Sequence, residues 1–528
     1  MAARMRPQAK VALLTALSIL IGSVTILLAM GLLVGGSFTT SWGEEIDGRE
    51  RYVSIDGETL TQNDLEHIAK LRNLRFLRIT NCNVAECRLP ELKFAARDIY
   101  SVDLSGTKGL WDLSFLGKLK TDELNLSGCP GVSDLTQLNW DMLTELNVDG
   151  TEVSDLSPVA GSRIRRLSFA HTTVSDLSPL ADAEYLWSVD GSYTQVTSLE
   201  PLLSKEDLWD ISFAGCPIRK VEGSFSSNYL RDVNLAETRI KDFGFLSDCA
   251  ELQELDLGGC VRLGDLSWLN PQCRETLERI DLGRCTKLKA SDVSWLRACT
   301  ALKDLTVDGI ALDDLAFCEG LSNLESLSAL GCGLAKIEGI KKCTSLKKIL
   351  LGYNKLTSAE GLPKPNSEEW PRMTLDLSHN QLSSAKDVPV GEYTCIMLQG
   401  NGEAVARTLP DGIHTYNVVT DWFSGIEDSS LRDYVRFSRL YLLGCPEDEV
   451  EGLMNTFSSW RISTVSDDEL LQLLADDAFD YRLNTDMSGY VAFAREIEGL
   501  SPDLENENEG QGSEIEGLSL DLAPQSGD

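Results

Sequence analysis

Cysteine and histidine are the side chains best suited to metal binding or nucleophilic catalysis. The sequence contains fourteen cysteines and four histidines. The histidines (His67, His171, His379 and His414) lie in different segments, so none pairs with the spacing of a metal site or a catalytic dyad. The sequence contains no Cys-x-x-Cys pair, no Gly-x-Ser-x-Gly motif and no phosphate-binding glycine loop. We therefore predict no catalytic residues, no metal, no cofactor and no enzyme activity.

Carboxylates and small amides form a second chemical pattern, because they recur at fixed intervals between apolar residues. Trp187 and Trp209 lie beside this pattern and could anchor a partner, since buried aromatic side chains dominate many interfaces. The pattern predicts one exposed surface for a protein or glycan with basic or hydroxyl groups. An exposed sheet also needs small polar and acidic side chains for solubility alone, and that interpretation stays open. The candidate partner-binding residues are Asp190, Asp210, Asp232, Asn234, Glu254, Asp256, Asp281, Asp304, Trp187 and Trp209.

The intervals come from an internal repeat whose period is mostly 22 residues. Its template is Leu-x-x-Leu-x-Leu-x-x-(Asn/Cys/Thr)-x-Leu, as in residues 143–153. Each Leu-x-Leu triplet predicts a short strand whose alternate side chains point inward, and stacked repeats form one parallel sheet. The Asn/Cys/Thr position of the template, called the register position below, falls at residues 82, 107, 129, 151, 172, 194, 216, 238, 260, 285, 310, 332, 354, 380 and 401.

The segments between the strands carry their own motif, Val153-Ser-Asp-Leu-Ser-Pro-Val159 and Val174-Ser-Asp-Leu-Ser-Pro-Leu180. With it the repeats resemble those of internalin-type bacterial surface proteins, whereas residues 249–310 resemble the cysteine-containing class of leucine-rich repeats. The resemblance covers residues 52–405 and implies an α/β solenoid, a leucine-rich repeat horseshoe with a parallel β-sheet on its concave side. It also implies a binding role without naming a ligand, because most members of the family are recognition scaffolds. The wall-anchoring motif of internalins is absent from the sequence.

Two further residue types follow the repeat. Aspartates recur at one convex position, where they can cap a short helical turn: Asp112, Asp134, Asp155, Asp176, Asp242, Asp265 and Asp314. Cysteines occupy inward-facing positions, at Cys82, Cys129, Cys216, Cys260, Cys285 and Cys332 in the register position and at Cys249, Cys299 and Cys343 before the first leucine. We predict that most cysteines are reduced and buried, because they behave there as small apolar residues. Cys82 and Cys87, which flank one turn, are the best candidates for a local disulfide.

Charge narrows the classes of partner. The 528 residues carry a net charge of −34, and the first 43 contribute +3, which leaves −37 for the remainder. Nucleic-acid binding depends on Lys and Arg side chains that neutralise phosphates. A chain this acidic is therefore not expected to bind nucleic acid. The apolar fraction of 42% is ordinary and permits a sizeable core.

An uncharged apolar segment of 24 residues, 11–34, is long enough to cross a bilayer as a helix. Arg4, Arg6 and Lys10 precede it, whereas Glu44, Glu45 and Asp47 follow it. The positive-inside rule then predicts a single-pass membrane protein with a cytoplasmic N-terminus and extracellular or extracytoplasmic repeats. Signal peptidase cleavage near Gly36, which would release a secreted form, remains an alternative.

Both ends of the repeat array have distinct patterns. A strand at Tyr52–Asp56 and a helix over 61–70 predict an N-terminal cap. Beyond the repeats, we expect strands at His414–Val419, Arg439–Leu443 and Arg461–Val465, and helices at Ser430–Arg436, Pro446–Phe457 and Asp467–Leu474, the last opened by a Ser466–Glu469 capping box. The tail carries the sequence Glu-Ile-Glu-Gly-Leu-Ser twice and lacks basic residues, a composition typical of disorder.

The expected organisation is therefore a cytoplasmic N-terminus (1–10), a transmembrane signal-anchor (11–34), a linker (35–51), an N-terminal cap (52–73), about fifteen leucine-rich repeats (74–405), a C-terminal cap or degenerate repeats (406–480) and an acidic disordered tail (496–528). The expected function is recognition or adhesion, with a macromolecule bound on the concave face. The alternative from another class is a structural envelope protein that acts as a spacer without a specific ligand.

Overall fold

The computed structural model describes residues 37–96, 98–365, 372–402, 405–421, 439–446, 461–475 and 487–498. The segments predicted as cytoplasmic (1–10) and transmembrane (11–34), the helices predicted over 430–436 and beyond Pro446 up to 457, and the tail after Glu498 lie outside these residues. Among the helices that the structure describes, none has the length and apolar character needed to cross a membrane.

The chain divides into two compact units. The N-terminal unit comprises Met1–Leu346 and Gly361–Pro363, and the C-terminal unit comprises Lys347–Glu360 and Lys364–Asp528. Each unit contains a parallel sheet in which consecutive strands of the chain are neighbours. This is the arrangement that stacked leucine-rich repeats require.

In the N-terminal unit, a short antiparallel hairpin of β1 (Phe38–Thr39) and β2 (Glu45–Ile46) precedes the parallel sheet. The parallel strands pair in chain order, each with the next. They are β3 (Tyr52–Asp56), β4 (Phe76–Thr80), β5 (Ser101–Asp103), β6 (Glu123–Asn125), β7 (Glu145–Asn147), β8 (Arg166–Ser168), β9 (Ser188–Asp190), β10 (Asp210–Ser212), β11 (Asp232–Asn234), β12 (Glu254–Asp256), β13 (Arg279–Asp281), β14 (Asp304–Thr306) and β15 (Ser326–Ser328).

The C-terminal unit continues with longer parallel strands, again paired in chain order. They are β16 (Lys348–Leu350), β17 (Met373–Asp376), β18 (Glu392–Met397), β19 (His414–Asp421), β20 (Arg439–Leu443) and β21 (Arg461–Val465). The three strands predicted after residue 413 are thus present, with β19 extending two residues further than expected. The Ser466 capping box is also confirmed, because Ser466 N donates a hydrogen bond of 2.7 Å to Glu469 Oε2.

The helices of the described residues are few and mostly short, because most repeats return to the next strand through a turn. The α-helices among these residues are α1 (Gln62–Ala69), α2 (Glu200–Leu203), α3 (Ala290–Val293), α4 (Asp467–Ala475) and α5 (Ser488–Glu498). Short 3-10 helices form at Leu89–Glu91, Ser157–Val159, Ser178–Asp182, Gly244–Leu246, Pro271–Arg274, Ser294–Ala298, Ala316–Cys318, Glu338–Ile340 and Val405–Thr408.

The predicted aspartate caps are confirmed. Asp155 Oδ1 accepts a hydrogen bond of 2.8 Å from Ser157 N, the first residue of a 3-10 helix. The same bond to the backbone two residues on recurs at Asp112, Asp134, Asp176, Asp242, Asp265 and Asp314. The Asp side chain therefore satisfies a backbone donor that a short turn leaves unpaired.

The helix at the N-terminal cap begins with a capping box. Asp64 N donates to Thr61 Oγ1, and Thr61 N donates to Asp64 Oδ2 at 2.9 Å. Asp64 also accepts hydrogen bonds from the backbone and the hydroxyl of Ser41, in the turn of the preceding hairpin. One buried carboxylate thus fixes both the start of α1 and the hairpin beside it.

The core consists of the inward leucines, isoleucines and valines of each repeat together with the register position. Cys129 Sγ donates to the carbonyl oxygen of Leu104 at 3.0 Å, and Cys260 Sγ to that of Leu235 at 3.2 Å. In each case the carbonyl belongs to the preceding repeat, so the register residue ties neighbouring repeats together while it fills the core.

Burial of the cysteines is confirmed for twelve of the fourteen, with Cys87 and Cys445 half-buried. All fourteen lie among the described residues and are free. The disulfide considered between Cys82 and Cys87 is therefore absent. Burial raises the pKa of the Cys129 thiol to about 11 and that of Cys249 to about 12, which disfavours the reactive thiolate.

The residue just before the register position adopts the left-handed conformation in each repeat from β4 to β18. It is glycine in some repeats, and elsewhere a side chain accepts this conformation at Asn81, His171, Tyr193, Glu237, Arg284, Tyr353 and His379. The side chains of Asn81, Tyr193, Glu237 and His379 lie against the glycine at the same position of the next repeat. The His171 and Tyr193 rings stack at 4.8 Å, and the Tyr193 ring then covers Gly215, where a Cβ atom would lie 2.4 Å from it.

Candidate partner-binding face

The solvent-facing side of the N-terminal sheet is built from parallel rows, because in-register strands place equivalent residues side by side. The first row contains the residue that opens each strand. Asp210 pairs with Asp232, Asp232 with Glu254, Glu254 with Arg279, and Arg279 with Asp304. The structure thus brings four of the predicted acidic residues, Asp210, Asp232, Glu254 and Asp304, into one line.

The second row contains the residue that ends each strand: Asp190, Ser212, Asn234, Asp256 and Asp281. The acidic and amide side chains of this row have a structural task, since each accepts a hydrogen bond from the backbone two residues on. The distances are 2.9 Å for Asp256 to Gly258 N and 2.7 Å for Asp281 to Gly283 N. Asp190 and Asn234 make the same bond. Their polarity is therefore explained in part by the fold, and only the remaining oxygen atoms are open to a partner.

Eight residues of the two rows, with Val233 and Leu255 between them, line a depression of about 370 Å³ across β10–β13, named the acidic depression below. Its only cation is Arg279, which already pairs with Glu254 at 3.0 Å and with Asp304 at 3.6 Å. The lining residues are Asp210, Ser212, Asp232, Val233, Asn234, Glu254, Leu255, Asp256, Arg279 and Asp281. Asp190 and Asp304 lie outside the lining, as do both predicted tryptophans.

Two glycines beyond the second row keep the depression open. A Cβ atom at Gly258 would lie 3.2 Å from Asp256 Oδ1 and 3.3 Å from Asp281 Oδ1. A Cβ atom at Gly283 would lie 3.0 Å from Asp281 Oδ1. Side chains at these two positions would crowd the carboxylates, so glycine leaves their oxygen atoms accessible.

The four aspartates of the depression have raised pKa values. Burial raises the pKa of Asp210, Asp232 and Asp256 above the usual range of aspartate. Burial, with the neighbouring carboxylate of Asp256 as the next cause, raises the pKa of Asp281 to about 7. A cation bound here would favour the ionised forms, since it supplies the opposite charge that the side chains lack.

Aromatic side chains line the N-terminal edge of the same strands. Trp187 and Trp209 remain 36% and 42% exposed, and Trp209 N donates to the Trp187 carbonyl oxygen at 2.7 Å. Arg166 lies over the Trp187 ring at 5.7 Å, and Arg231 lies over the Trp209 ring at 4.6 Å. The predicted position of the two tryptophans beside the acidic rows is confirmed.

Sequence reasoning missed Tyr185 and Tyr229, which are 49% and 59% exposed in the same region. Each precedes the first leucine of a repeat, Leu186 and Leu230, so the repeat register could have placed them at this edge. With Trp187 and Trp209 they form a set of exposed aromatic side chains on the three successive repeats of β9–β11, named the aromatic strip below.

In the C-terminal unit, helix α5 packs on the corresponding face of the sheet. The helix places Tyr490 there, with Tyr490 Oη 3.2 Å from Gln399 Nε2 and 3.3 Å from Ser378 Oγ. The Tyr353 ring lies 6.3 Å from Tyr490 and 5.9 Å from Phe493. Ser378 and Gln399 are buried, and so are Thr374 and Asp376, the first-row and second-row residues of β17, whereas the residues of both rows in β9–β13 are half-buried or exposed.

Metal binding has no support in the part of the chain that the structure describes, where no three His, Cys, Asp or Glu side chains are grouped to hold an ion. The acidic depression is therefore best described as a cluster of carboxylates spread along a sheet.

Comparison with known proteins finds no matching family model and no matching curated protein. Solved structures with leucine-rich repeats do match. An internalin (InlF) from Listeria monocytogenes is 22% identical over 63% of this chain and 88% of that one, with a TM-score of 0.44. The functional domain of InlJ from the same organism, which includes a cysteine ladder, is 15% identical over 76% of each chain, with a TM-score of 0.37.

A plant structure is among the matches as well. It is the ectodomain of the Arabidopsis thaliana receptor kinase GASSHO1/SCHENGEN3 in complex with Casparian strip integrity factor 2. It is 14% identical over 78% of this chain and 55% of that one, with a TM-score of 0.38. The chain thus resembles internalins and other leucine-rich repeat proteins, and the repeat pattern and paired strands described above identify the fold independently of these matches.

Proposed function

We propose that this protein is a membrane-anchored, extracytoplasmic leucine-rich repeat protein that binds a protein partner on the open sheet face of its N-terminal unit. The observation that carries the proposal is the contrast between the two sheets. The rows of β9–β13 are half-buried or exposed, acidic and bordered by exposed aromatic side chains, whereas the row residues Thr374 and Asp376 of the C-terminal unit are buried and helix α5 of the same chain contacts the neighbouring Ser378 and Gln399.

The charge of the face indicates the chemistry of the partner. Asp210, Asp232, Glu254, Asp256 and Asp281 meet a single arginine in the acidic depression. A partner that presents lysine or arginine side chains would relieve this excess of negative charge. Complementary charge mainly accelerates association, so we expect binding to weaken as salt screens the charges.

The test is capture of partners by cross-linking the full chain in its native membrane. Asp210, Asp232 and Glu254 are replaced together by Lys, and the control replaces the exposed Glu152, Asp313 and Glu338 by Lys. We expect the first variant to lose a protein that the wild type and the control both capture, and high salt to reduce that capture. Equal capture by all three proteins at every salt concentration would refute binding at this face and leave the structural spacer as the better explanation.

Membrane anchoring is tested separately. We propose that segment 11–34 stays attached and that the repeats lie outside the cell, because three basic residues precede the segment and acidic residues follow it. Protease added to intact cells should then digest the repeats of a chain tagged at both ends. Complete protection of the repeats would reverse the topology, and an N-terminal fragment ending near Gly36 would establish cleavage.

A further inference from the structure

Among the described residues of the N-terminal unit, the aromatic strip (Tyr185, Trp187, Trp209 and Tyr229) is the largest group of exposed aromatic side chains on neighbouring repeats. Three consecutive edge positions are joined by backbone hydrogen bonds, from Trp209 N to the Trp187 carbonyl (2.7 Å) and from Arg231 N to the Trp209 carbonyl (2.9 Å). Aromatic side chains left exposed side by side are typical of interaction surfaces.

The strip directly adjoins the acidic depression. Trp209 is followed in the chain by Asp210, and Arg231 by Asp232, and both aspartates line the depression. Strands about 4.8 Å apart and residues about 3.3 Å apart along a strand separate Trp209 from the centre of the depression by about 10–15 Å. An extended polypeptide covers that distance in three to five residues, at about 3.3 Å or slightly more per residue.

Arg231 lies over the Trp209 ring at 4.6 Å and directly precedes Asp232, so it lies where the aromatic strip meets the acidic depression. A polypeptide is the class of partner that carries an apolar and a basic side chain at a fixed separation along one chain. An extended segment can therefore contact both surfaces at once.

We propose that the partner binds as an extended segment that places one apolar side chain on the aromatic strip and a lysine or arginine, three to five residues away, in the acidic depression. This rests on the proposed function, which it makes specific by defining the partner's sequence pattern. The aromatic strip supplies the apolar contact area that the partner buries. The acidic depression selects a basic side chain, and its distance from the strip fixes how many residues separate that side chain from the apolar one.

The test is selection of a random 12-residue peptide library against the purified full chain in detergent. We expect enriched peptides to share an apolar residue and a Lys or Arg separated by three to five positions. Against the Trp209→Ala variant the apolar preference should disappear while the basic one persists. Against the double variant Asp232→Asn and Asp256→Asn the basic preference should disappear while the apolar one persists, since Asn retains the backbone hydrogen bond made by Asp256.

The best peptide is then measured against single variants. We expect Trp209→Ala and Tyr229→Ala to weaken its binding by about 10-fold, as for interface anchors. Trp111→Ala is the matched control, because Trp111 is 63% exposed but lies outside the strip, and it should change binding by less than about 2-fold. Unchanged thermal unfolding of each variant shows that the fold is retained.

The outcomes separate this proposal from the proposed function. Enrichment without a fixed spacing, or equal effects of the Trp111 and Trp209 variants, would overturn the extended segment even if the charge-reversal variant still loses its captured partner. No enrichment of any peptide would also overturn it. Failure of both the library selection and the cross-linking experiment would remove the binding face as well.

Discussion

Asp308 accepts a hydrogen bond of 2.7 Å from the hydroxyl of Ser328, the second-row residue of the following repeat. It also accepts one of 2.8 Å from the backbone of Leu330. In repeats with Asp or Asn in the second row, that backbone donor is satisfied within its own repeat. At Ser328 and Ser168 the preceding repeat supplies the acceptor instead, because Asp149 accepts hydrogen bonds from the Ser168 hydroxyl and the Ala170 backbone as Asp308 does from Ser328 and Leu330.

The first prediction follows from this pair. Asp308 and Leu330 are buried, so Asp308→Ala would leave both donors without an acceptor and should lower the free energy of unfolding by about 2 kcal/mol. Asp308→Asn retains an acceptor oxygen and should cost less than half as much. Urea unfolding of the two variants measures the difference, and equal losses would show that charge matters here more than the hydrogen bonds.

The second prediction concerns pH and Asp281. Its folded-state pKa of about 7 lies above the value of an unfolded aspartate, so the folded chain binds the proton more tightly. Its contribution to stability is therefore present at low pH and is lost as the pH rises towards 7. Asp281→Asn keeps the acceptor for Gly283 and removes this dependence. We expect the variant to be more stable than wild type by about 2 kcal/mol at pH 8 and by much less at pH 4.

Thermal or urea unfolding at both pH values checks the Asp281 prediction, with Glu152→Gln as an exposed control. A variant that is equally stable relative to wild type at both pH values would show that Asp281 titrates normally.

The third prediction tests the contact between Tyr193 and Gly215. Gly215→Ala forces a side chain into the left-handed conformation (φ +68°) and against the Tyr193 ring, so it should destabilise the N-terminal unit by about 2 kcal/mol. Adding Tyr193→Gly removes the steric conflict but not the conformational cost. The double variant should therefore recover about 1 kcal/mol relative to the sum of the single variants. Strict additivity would mean that the ring moves aside freely.

The fourth prediction concerns the thiols. Denatured, non-reduced protein should give fourteen free thiols per chain in a colorimetric assay, because every cysteine is free. The native protein should react rapidly only at Cys87 and Cys445, which are half-buried, since burial raises the pKa of others such as Cys260 to about 11. Finding ten or more disulfide-bonded cysteines would contradict the inward placement of the register positions.

Much of the fold could be predicted from the sequence because the same short pattern recurs in every repeat, although a single copy of it would be weak evidence for a strand. The strand at Arg439–Leu443, the caps at Asp155 and its equivalents, and the burial of Cys129 all follow from one template applied in register. Trp187 and Trp209 were placed at the correct edge for the same reason.

What could not be predicted depends on contacts outside the repeat. Helix α5 was missed because residues 488–498 carry no repeat pattern, and its position is fixed only by tertiary contacts such as that between Tyr490 and Gln399. The structural task of Asp256 and Asp281 also escaped prediction, because partner binding and solubility each explain a polar side chain on an exposed strand without any bond to the backbone. The row of polar side chains was predicted, but the hydrogen bonds that these side chains make to their own backbone were not.

The leaning side chains of the left-handed turns make the order of repeats directional. Within the N-terminal unit, the side chains of Asn81, Tyr193 and Glu237 lie against the glycine at the same position of the next repeat, which is Gly106, Gly215 and Gly259 respectively. Deleting the repeat that contains His171 would make Tyr193 follow Gly150 at this position. No side chain would then be pressed against the Tyr193 ring from the preceding repeat. Deleting the repeat that contains Gly215 would set the Tyr193 ring against Glu237, which is neither flat nor small. Recombination between repeats can therefore shorten this array at some junctions and not at others, although all the repeats share one template.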